Sequence, residues 1–176
     1  MTLVTANIPA SNVLDALHRN RVDVCVSVPD WVQLALHHQL ADPANGIEQI
    51  FCCNEDQALA VATGLHLSGK RPVIMIQNQG LYGCINTVRG IGLDAQLPLV
   101  MLIGQFGREE ANFSQPTTAS QRNPARLLEP VLQALGVRFW NLENEADLAS
   151  IDAAFEHAHR HGAPVALNVG APLAWA

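Results

Sequence analysis

Six short apolar runs, each separated from the next by a helical segment, constrain this chain more than any other feature of its sequence. The runs are residues 22–28, 48–52, 72–76, 97–104, 137–142 and 164–169. Residues 22–28, a series of valines around Cys25, and residues 97–104 are of the kind that a strand covered on both faces shows. Helical spacing marks residues 9–20, 31–40, 55–68, 81–93, 124–135 and 145–161. Strands joined through helices form parallel pairs, and right-handed crossovers place helices over both sheet faces. The pattern therefore predicts an α/β fold, a three-layer α/β/α arrangement with a mainly parallel six-stranded sheet. With 176 residues, 49% of them hydrophobic, the chain is expected to fold as a single domain spanning 1–176.

Charge excludes several classes of partner. The net charge is −6, and the ten Lys and Arg residues are scattered along the sequence, which predicts neither a nucleic-acid surface nor a basic membrane patch. The first residues, MTLVTANIPASNV, carry neither the basic region nor the apolar core of a secretory signal, and no run approaches the length of a membrane span. A cytoplasmic location is the expectation. Cys25, Cys52, Cys53 and Cys84 lack CxxC spacing and are expected to be small buried thiols, without disulfides.

The stretch CCNEDQALAVATGLHLSGKRPVIMIQNQG, residues 52–80, is the most informative. Asn54 suits a helix N-cap with Gln57 reaching back in a capping-box arrangement, which sets Glu55 on the first helical turn. Ala58, Val61, Ala62 and Leu65 recur at the helical period, and Gly69 ends the helix. The following strand closes in the amide-rich turn Gln77-Asn78-Gln79-Gly80. A carboxylate at one helix start and amides at the next strand end both fall where open parallel sheets build their sites. Residues 81–93 form a helix weakened by glycines, so a partner or a close backbone approach is expected there. Residues 105–123 are polar and aperiodic, which predicts a site loop or a subunit-contact loop.

Other motifs are missing. The chain has no GxGxxG after a strand, no phosphate loop and no GxSxG. His157, His159 and His161 resemble a metal set at first, but only 157 and 161 share a helical face, and a helix C-terminus favours histidine through its dipole. No metal site is expected in this chain, and His18, His37, His38 and His66 are read as packing or flanking helices.

The remaining residues are Glu55, the 77–80 turn, Asn86 and the Pro29-Asp30 turn. Here the chain resembles the pyrimidine-binding domain of thiamine-diphosphate enzymes, most closely the α subunit of sulfopyruvate decarboxylase and the matching half of phosphonopyruvate decarboxylase. The similar text is SVPDW, CNEDQALAVATG, GKRPVIMIQNQGLYGCIN and LPLVMLIGQFGRE, over roughly residues 10–110. The resemblance implies that Glu55 is the catalytic residue that hydrogen-bonds N1′ of the aminopyrimidine and favours its imino tautomer. It also implies cofactor contacts from Pro29, Asn78 and Gly80, and makes Asp30, Gln77, Gln79 and Asn86 candidates for the substrate or cleft. Glu55 alone would equally suit a carboxylate that complements the helix dipole.

Enzymes of this kind hold the diphosphate and Mg2+ through a Gly-Asp-Gly sequence in another domain, and this chain has none. The resemblance thus implies a diphosphate-binding β subunit, a heterotetramer or larger heteromer, and decarboxylation of a 2-oxo acid. A carboligase subunit and a noncatalytic structural or regulatory subunit are the alternatives. Where the resembling enzymes have an acidic stretch and Pro-Gln-His after Gly-Arg-Glu, this chain reads GREEANFSQPTTASQ, without the histidine.

Overall fold

The computed structural model describes residues 8–175. Its strands are β1 (Val24–Ser27), β2 (Glu48–Phe51), β3 (Pro72–Gln77), β4 (Val100–Gly104), β5 (Arg138–Leu142) and β6 (Val165–Val169). They form one six-stranded sheet in the order β2-β1-β3-β4-β6-β5, and every pairing is parallel. The expected three-layer α/β/α architecture holds, with a sheet that is parallel throughout.

Side-chain alternation builds the two outer layers. Cys25, Val73, Met75, Val100, Leu102 and Leu167 face α1 (Ala10–Arg19), α2 (Leu34–Leu40) and α8 (Ala149–His161). Their neighbours Val24, Val26, Ile74, Ile76, Met101 and Ile103 face α3 (Glu55–Leu67), α4 (Asn78–Gly83) and α7 (Leu128–Leu135). Because successive strand residues point to opposite faces, the central strands must be apolar at every position to satisfy both layers. Each fully buried Leu, Ile or Met in them contributes about 1.5–3 kcal/mol of transfer free energy.

Several boundaries depart from the sequence expectation. Residues 81–93 do not form one helix: α4 stops at Gly83, α5 (Ile85–Thr87) adds a single turn, and Val88–Asp94 winds as a π-helix. Gly92 packs there against Pro164, where a Cβ would fall 2.8 Å from the proline ring, so the close approach anticipated for this segment is to the start of β6. The 77–80 segment is not a turn. Gln77 is the last residue of β3, and Asn78, Gln79 and Gly80 are the first turn of α4. The second helix begins at Leu34 rather than residue 31 because Asp30 first folds residues 31–33 into a turn. The 124–135 helix is divided at Leu127 into α6 (Asn123–Arg126) and α7.

Cys53 is exposed and Cys52 half-buried, which corrects the expectation that all four thiols are buried; all four are free. Cys25 packs its Sγ 3.1 Å from Met75 Sδ. His157 and His161 stack at 4.3 Å between ring centroids, while His159 lies against Arg71. Among the described residues no group of three or more His, Cys, Asp and Glu side chains is placed to hold a metal ion. No helix among them is long and apolar enough to cross a membrane.

His37 on α2 is buried, with Gln49 Nε2 2.9 Å from its Nδ1 and its Nε2 enclosed without a partner among the described residues. Burial lowers its pKa from 6.5 to about 4. Between those two values the unfolded chain binds a proton that the folded chain does not, so stability is lost as pH falls through this window. The loss approaches about 3 kcal/mol at its lower end. Urea unfolding at pH 7, 5.5 and 4.5 should show this decline, and His37→Asn should flatten it; equal slopes in the two proteins would exclude His37 as the cause.

Candidate functional site

The chain leaves β1 for β2 on one side, whereas β3 pairs on the other, so the sheet has its switch point between β1 and β3 at the carboxyl ends of the strands. Every candidate read from the sequence except Asn86 follows or ends one of these three strands.

Asn54 caps α3 through a 2.8 Å bond from Gln57 N–H. The Gln57 side chain reaches back past the cap and accepts from Cys53 N–H at 2.9 Å. This double tie fixes the first turn of α3 and hence Glu55, which is half-buried. Its side chain lies directly over the backbone of Gly80, so closely that a Cβ at residue 80 would overlap Oε1, Cδ and Cγ of Glu55. Gly80 thus makes room for the glutamate itself. Among the described residues, none donates a hydrogen bond to the Glu55 carboxylate. Asp56, next on the helix, is engaged by the Thr87 hydroxyl. Beneath them Cys84 is buried, and burial first, then the charges of Asp56 and Glu55, push its thiol up to about 12.

The amides behave differently from one another. Asn78 is fully buried, and its Nδ2 donates to Phe106 O at 2.9 Å and Pro124 O at 2.8 Å. Tyr82 OH donates to the same Pro124 carbonyl at 2.6 Å. Asn78 therefore ties α4 to the segment after β4 and to the first turn of α6, and its side chain faces inward rather than toward an open cleft. Gln77 is half-buried at the end of β3, and Gln79 is exposed on α4. Asn86 is exposed on α5, where it accepts from Arg89 at 3.0 and 3.2 Å.

Pro29 is exposed at the end of the β1 loop, but Asp30 is buried. Its Oδ1 accepts from Val32 N–H at 2.7 Å and Gln33 N–H at 3.0 Å, and its Oδ2 accepts from Gln33 Nε2 at 2.6 Å. Burial raises its carboxyl above the ordinary value, opposed by the hydrogen bonds from Gln33 and Val32. Gly104 leaves space for it, since a Cβ there would fall 2.5 Å from Oδ1. Gln33 extends the link to Ile76 O and Leu102 O at 3.1 and 3.3 Å. Asp30 organises the β1 loop over β3 and β4 instead of presenting its carboxylate to a ligand.

Sequence reasoning missed a second feature of this end of the sheet. A cavity of about 530 Å³ is lined by Trp31, Gln105, Phe106, Arg122, Pro124 and Pro172, among others. Gln105 is 2% exposed; its Oε1 accepts from Arg108 at 3.1 Å, and its Nε2 is a buried donor without a partner among the described residues. Because a guanidinium only donates, that bond fixes which end of the amide is Oε1. The signal available beforehand was a lone glutamine directly after the longest apolar run.

The arrangement fits an aminopyrimidine at one point: an unengaged carboxylate at a helix start, laid over a glycine whose missing side chain makes room for it. It offers nothing comparable for a diphosphate at Glu55. A sulfopyruvate decarboxylase subunit alpha from Methanothermobacter thermautotrophicus is 30% identical over 88 residues, which cover 50% of this chain and 53% of that protein. One from Methanocaldococcus jannaschii is 27% identical over 95 residues, 54% and 56% of the two chains. The chain spans about half the length of these curated relatives. A sulfopyruvate decarboxylase from Methanosarcina acetivorans is 20% identical over 166 residues, 92% of this chain but 41% of that protein. Residues 10–129, well over half of the chain, match the family described as thiamine pyrophosphate enzyme, N-terminal TPP binding domain, and the chain belongs to that family.

Proposed function

We propose that this chain is the pyrimidine-binding part of a thiamine-diphosphate-dependent 2-oxo acid decarboxylase, with Glu55 as its acid-base group. A second subunit carries the diphosphate and Mg2+ half, in a cytoplasmic heteromer. The observation that carries this reading is the Glu55 carboxylate over the Gly80 backbone at the switch point, without a hydrogen-bond partner among the described residues. When bound, thiamine diphosphate supplies the electron sink for decarboxylation. The Glu55 carboxylate would hold the aminopyrimidine at N1′ and could give a proton to that nitrogen and take it back. Gly80 admits the glutamate, and Asn78 and Asp30 hold the two loops around it by bonds within the chain. Gln105 Nε2 and Arg122, which line the neighbouring cavity, are donors suited to a substrate carboxylate.

Two lengths support the division of labour. The Methanothermobacter and Methanocaldococcus relatives are named as alpha subunits, whereas the Methanosarcina relative, more than twice as long as its matched part, is named without one. The purified chain alone is expected to release little carbon dioxide from a 2-oxo acid, and to do so with thiamine diphosphate and Mg2+ once a diphosphate-binding partner is added. Full activity from the pure chain alone would overturn the two-part reading. Product analysis with an aldehyde acceptor present separates decarboxylation from carboligation.

Gly80→Ala tests the placement of Glu55. Because the added methyl would overlap the glutamate, the side chain must swing away, and a displacement of this kind lowers turnover by roughly tenfold or more. The assembled complex should still form. Native turnover in Gly80→Ala would mean that Glu55 acts from another position or not at all.

A further inference from the structure

The opposite end of the sheet carries a second site. Arg19 ends α1, Arg21 lies in the turn to β1, Arg71 precedes β3, and His159 and Arg160 belong to the last turn of α8. All five line one cavity of about 530 Å³, together with Asn20, Asp152, Phe155 and Glu156. Four of the ten cationic residues of an acidic chain are thus gathered in one place, although the sequence scatters them from Arg19 to Arg160. In a parallel sheet this is the amino-terminal edge, remote from Glu55.

The acids in the cavity do not neutralise it. Arg19 pairs with Asp152 at 3.3 Å and Arg160 with Glu156, and in both pairs each side chain is about half exposed or more. Ion pairs this exposed are weak and exchange readily. Asp152 also accepts from Asn20 Nδ2 at 2.5 Å. The guanidinium groups of Arg21 and Arg71 have no carboxylate partner among the described residues, and the nearby Asp23 carboxylate is engaged by the backbone N–H of Arg71 at 2.9 Å. Arg71 Nη2 lies 3.1 Å from His159 Nε2 and donates to it, so that the imidazole is held as an acceptor and leaves the remaining guanidinium donors of Arg71 available.

The backbone supplies a second argument. Arg21 has φ 58°, in the left-handed region, one residue past the α1 cap, with its N–H on His18 O at 2.8 Å and Val22 N–H on Leu17 O at 3.1 Å. Glycine is the residue that this helix ending favours, and Gly136 and Gly162 occupy the same place after α7 and α8. An arginine here carries a conformational cost for which the helix ending itself offers no return.

We infer that this cavity is an anion site for a compact polyanion bearing phosphate-type groups, bound chiefly by Arg21 and Arg71, with Arg19 and Arg160 turning from their exposed carboxylates toward the ligand. The volume suits a small phosphorylated molecule. Guanidinium forks match the oxygens of such groups in pairs.

Inorganic pyrophosphate is the probe, titrated calorimetrically into the full chain in phosphate-free buffer of low ionic strength. Saturable binding at one site is expected, weakened about tenfold or more by Arg21→Gly and by Arg71→Gln, and unchanged by Arg122→Gln at the other end of the sheet. Arg21→Gly should melt no lower than the native chain, since glycine suits its backbone, so lost binding there does not report unfolding. Absence of saturable binding, equal binding in native and both variant chains, or a loss confined to Arg122→Gln would overturn the site.

Discussion

Glu55→Gln should assemble and bind cofactor normally yet lose about 10²-fold or more in turnover, the usual scale of general acid-base assistance. The substitution keeps the chain length that reaches across Gly80 and preserves the Asn54 cap, because neither the Asn54–Gln57 bond nor the Gln57–Cys53 bond uses residue 55. What it removes is an oxygen that can carry a proton to and from N1′. Glu55→Asp should fail as well, since one methylene less withdraws the carboxylate from the place that Gly80 opens for it. Hydrogen-deuterium exchange at C2 of bound thiamine diphosphate, measured in the assembled complex, reads this step without knowledge of the substrate. A Gln variant that binds cofactor and exchanges the proton at the native rate would leave Glu55 with only its favourable position at the α3 N-terminus.

The parts of the site that were legible are those built from neighbours in sequence. Asn54, Glu55 and Gln57 lie within one turn, so cap and carboxylate follow from spacing, although Gln57 reaches Cys53 rather than the cap residue. The six runs likewise announced six strands: in β1, β3, β4 and β6 burial on both faces leaves an apolar signature that survives without coordinates, whereas the edge strands β2 and β5 are partly exposed. Asn78 shows where such reasoning stops. Its partners, Phe106 O and Pro124 O, are 28 and 46 residues away, and nothing local distinguishes an amide that faces a ligand from one that ties two loops. Asp30 differs from Glu55 for the same reason: its turn with Gln33 is local, but its burial depends on Gly104 at the end of β4 and on the bonds from Gln33 to Ile76 O and Leu102 O. The broken helix after β3 was foreshadowed by its glycines, yet its π-helical turn is set by tertiary packing, with Gly92 against Pro164.

The loop at 105–123 depends on one buried charge. The Arg108 side chain is fully buried and pairs with Glu143, whose side chain is 8% exposed. Its remaining donors go to Asn112 Oδ1 at 3.1 Å, Asn112 O at 3.0 Å, Gln115 O at 2.8 Å and Gln105 Oε1 at 3.1 Å. Glu143 in turn accepts from Ser114 N–H at 2.6 Å, holding a residue with φ 63° that would otherwise be strained. A long polar segment without helical or strand periodicity is thus wound around a guanidinium, and the orientation of Gln105 in the neighbouring cavity follows from the same group. Arg108→Met fills similar volume but strips the loop of these bonds and leaves Glu143 charged in a buried place. Removing one member of such a pair costs about 3–5 kcal/mol, far more than an exposed pair would. Urea unfolding of Arg108→Met should show a loss of that order, with limited proteolysis cutting first between residues 105 and 123. Arg19→Met, which breaks the exposed pair with Asp152, should change stability by no more than about 1 kcal/mol. If the two variants are equally stable, the loop does not depend on Arg108, and its order must come from the Glu109 carboxylate, which accepts from Ser120 Oγ and Gln121 N–H at 2.6 Å each.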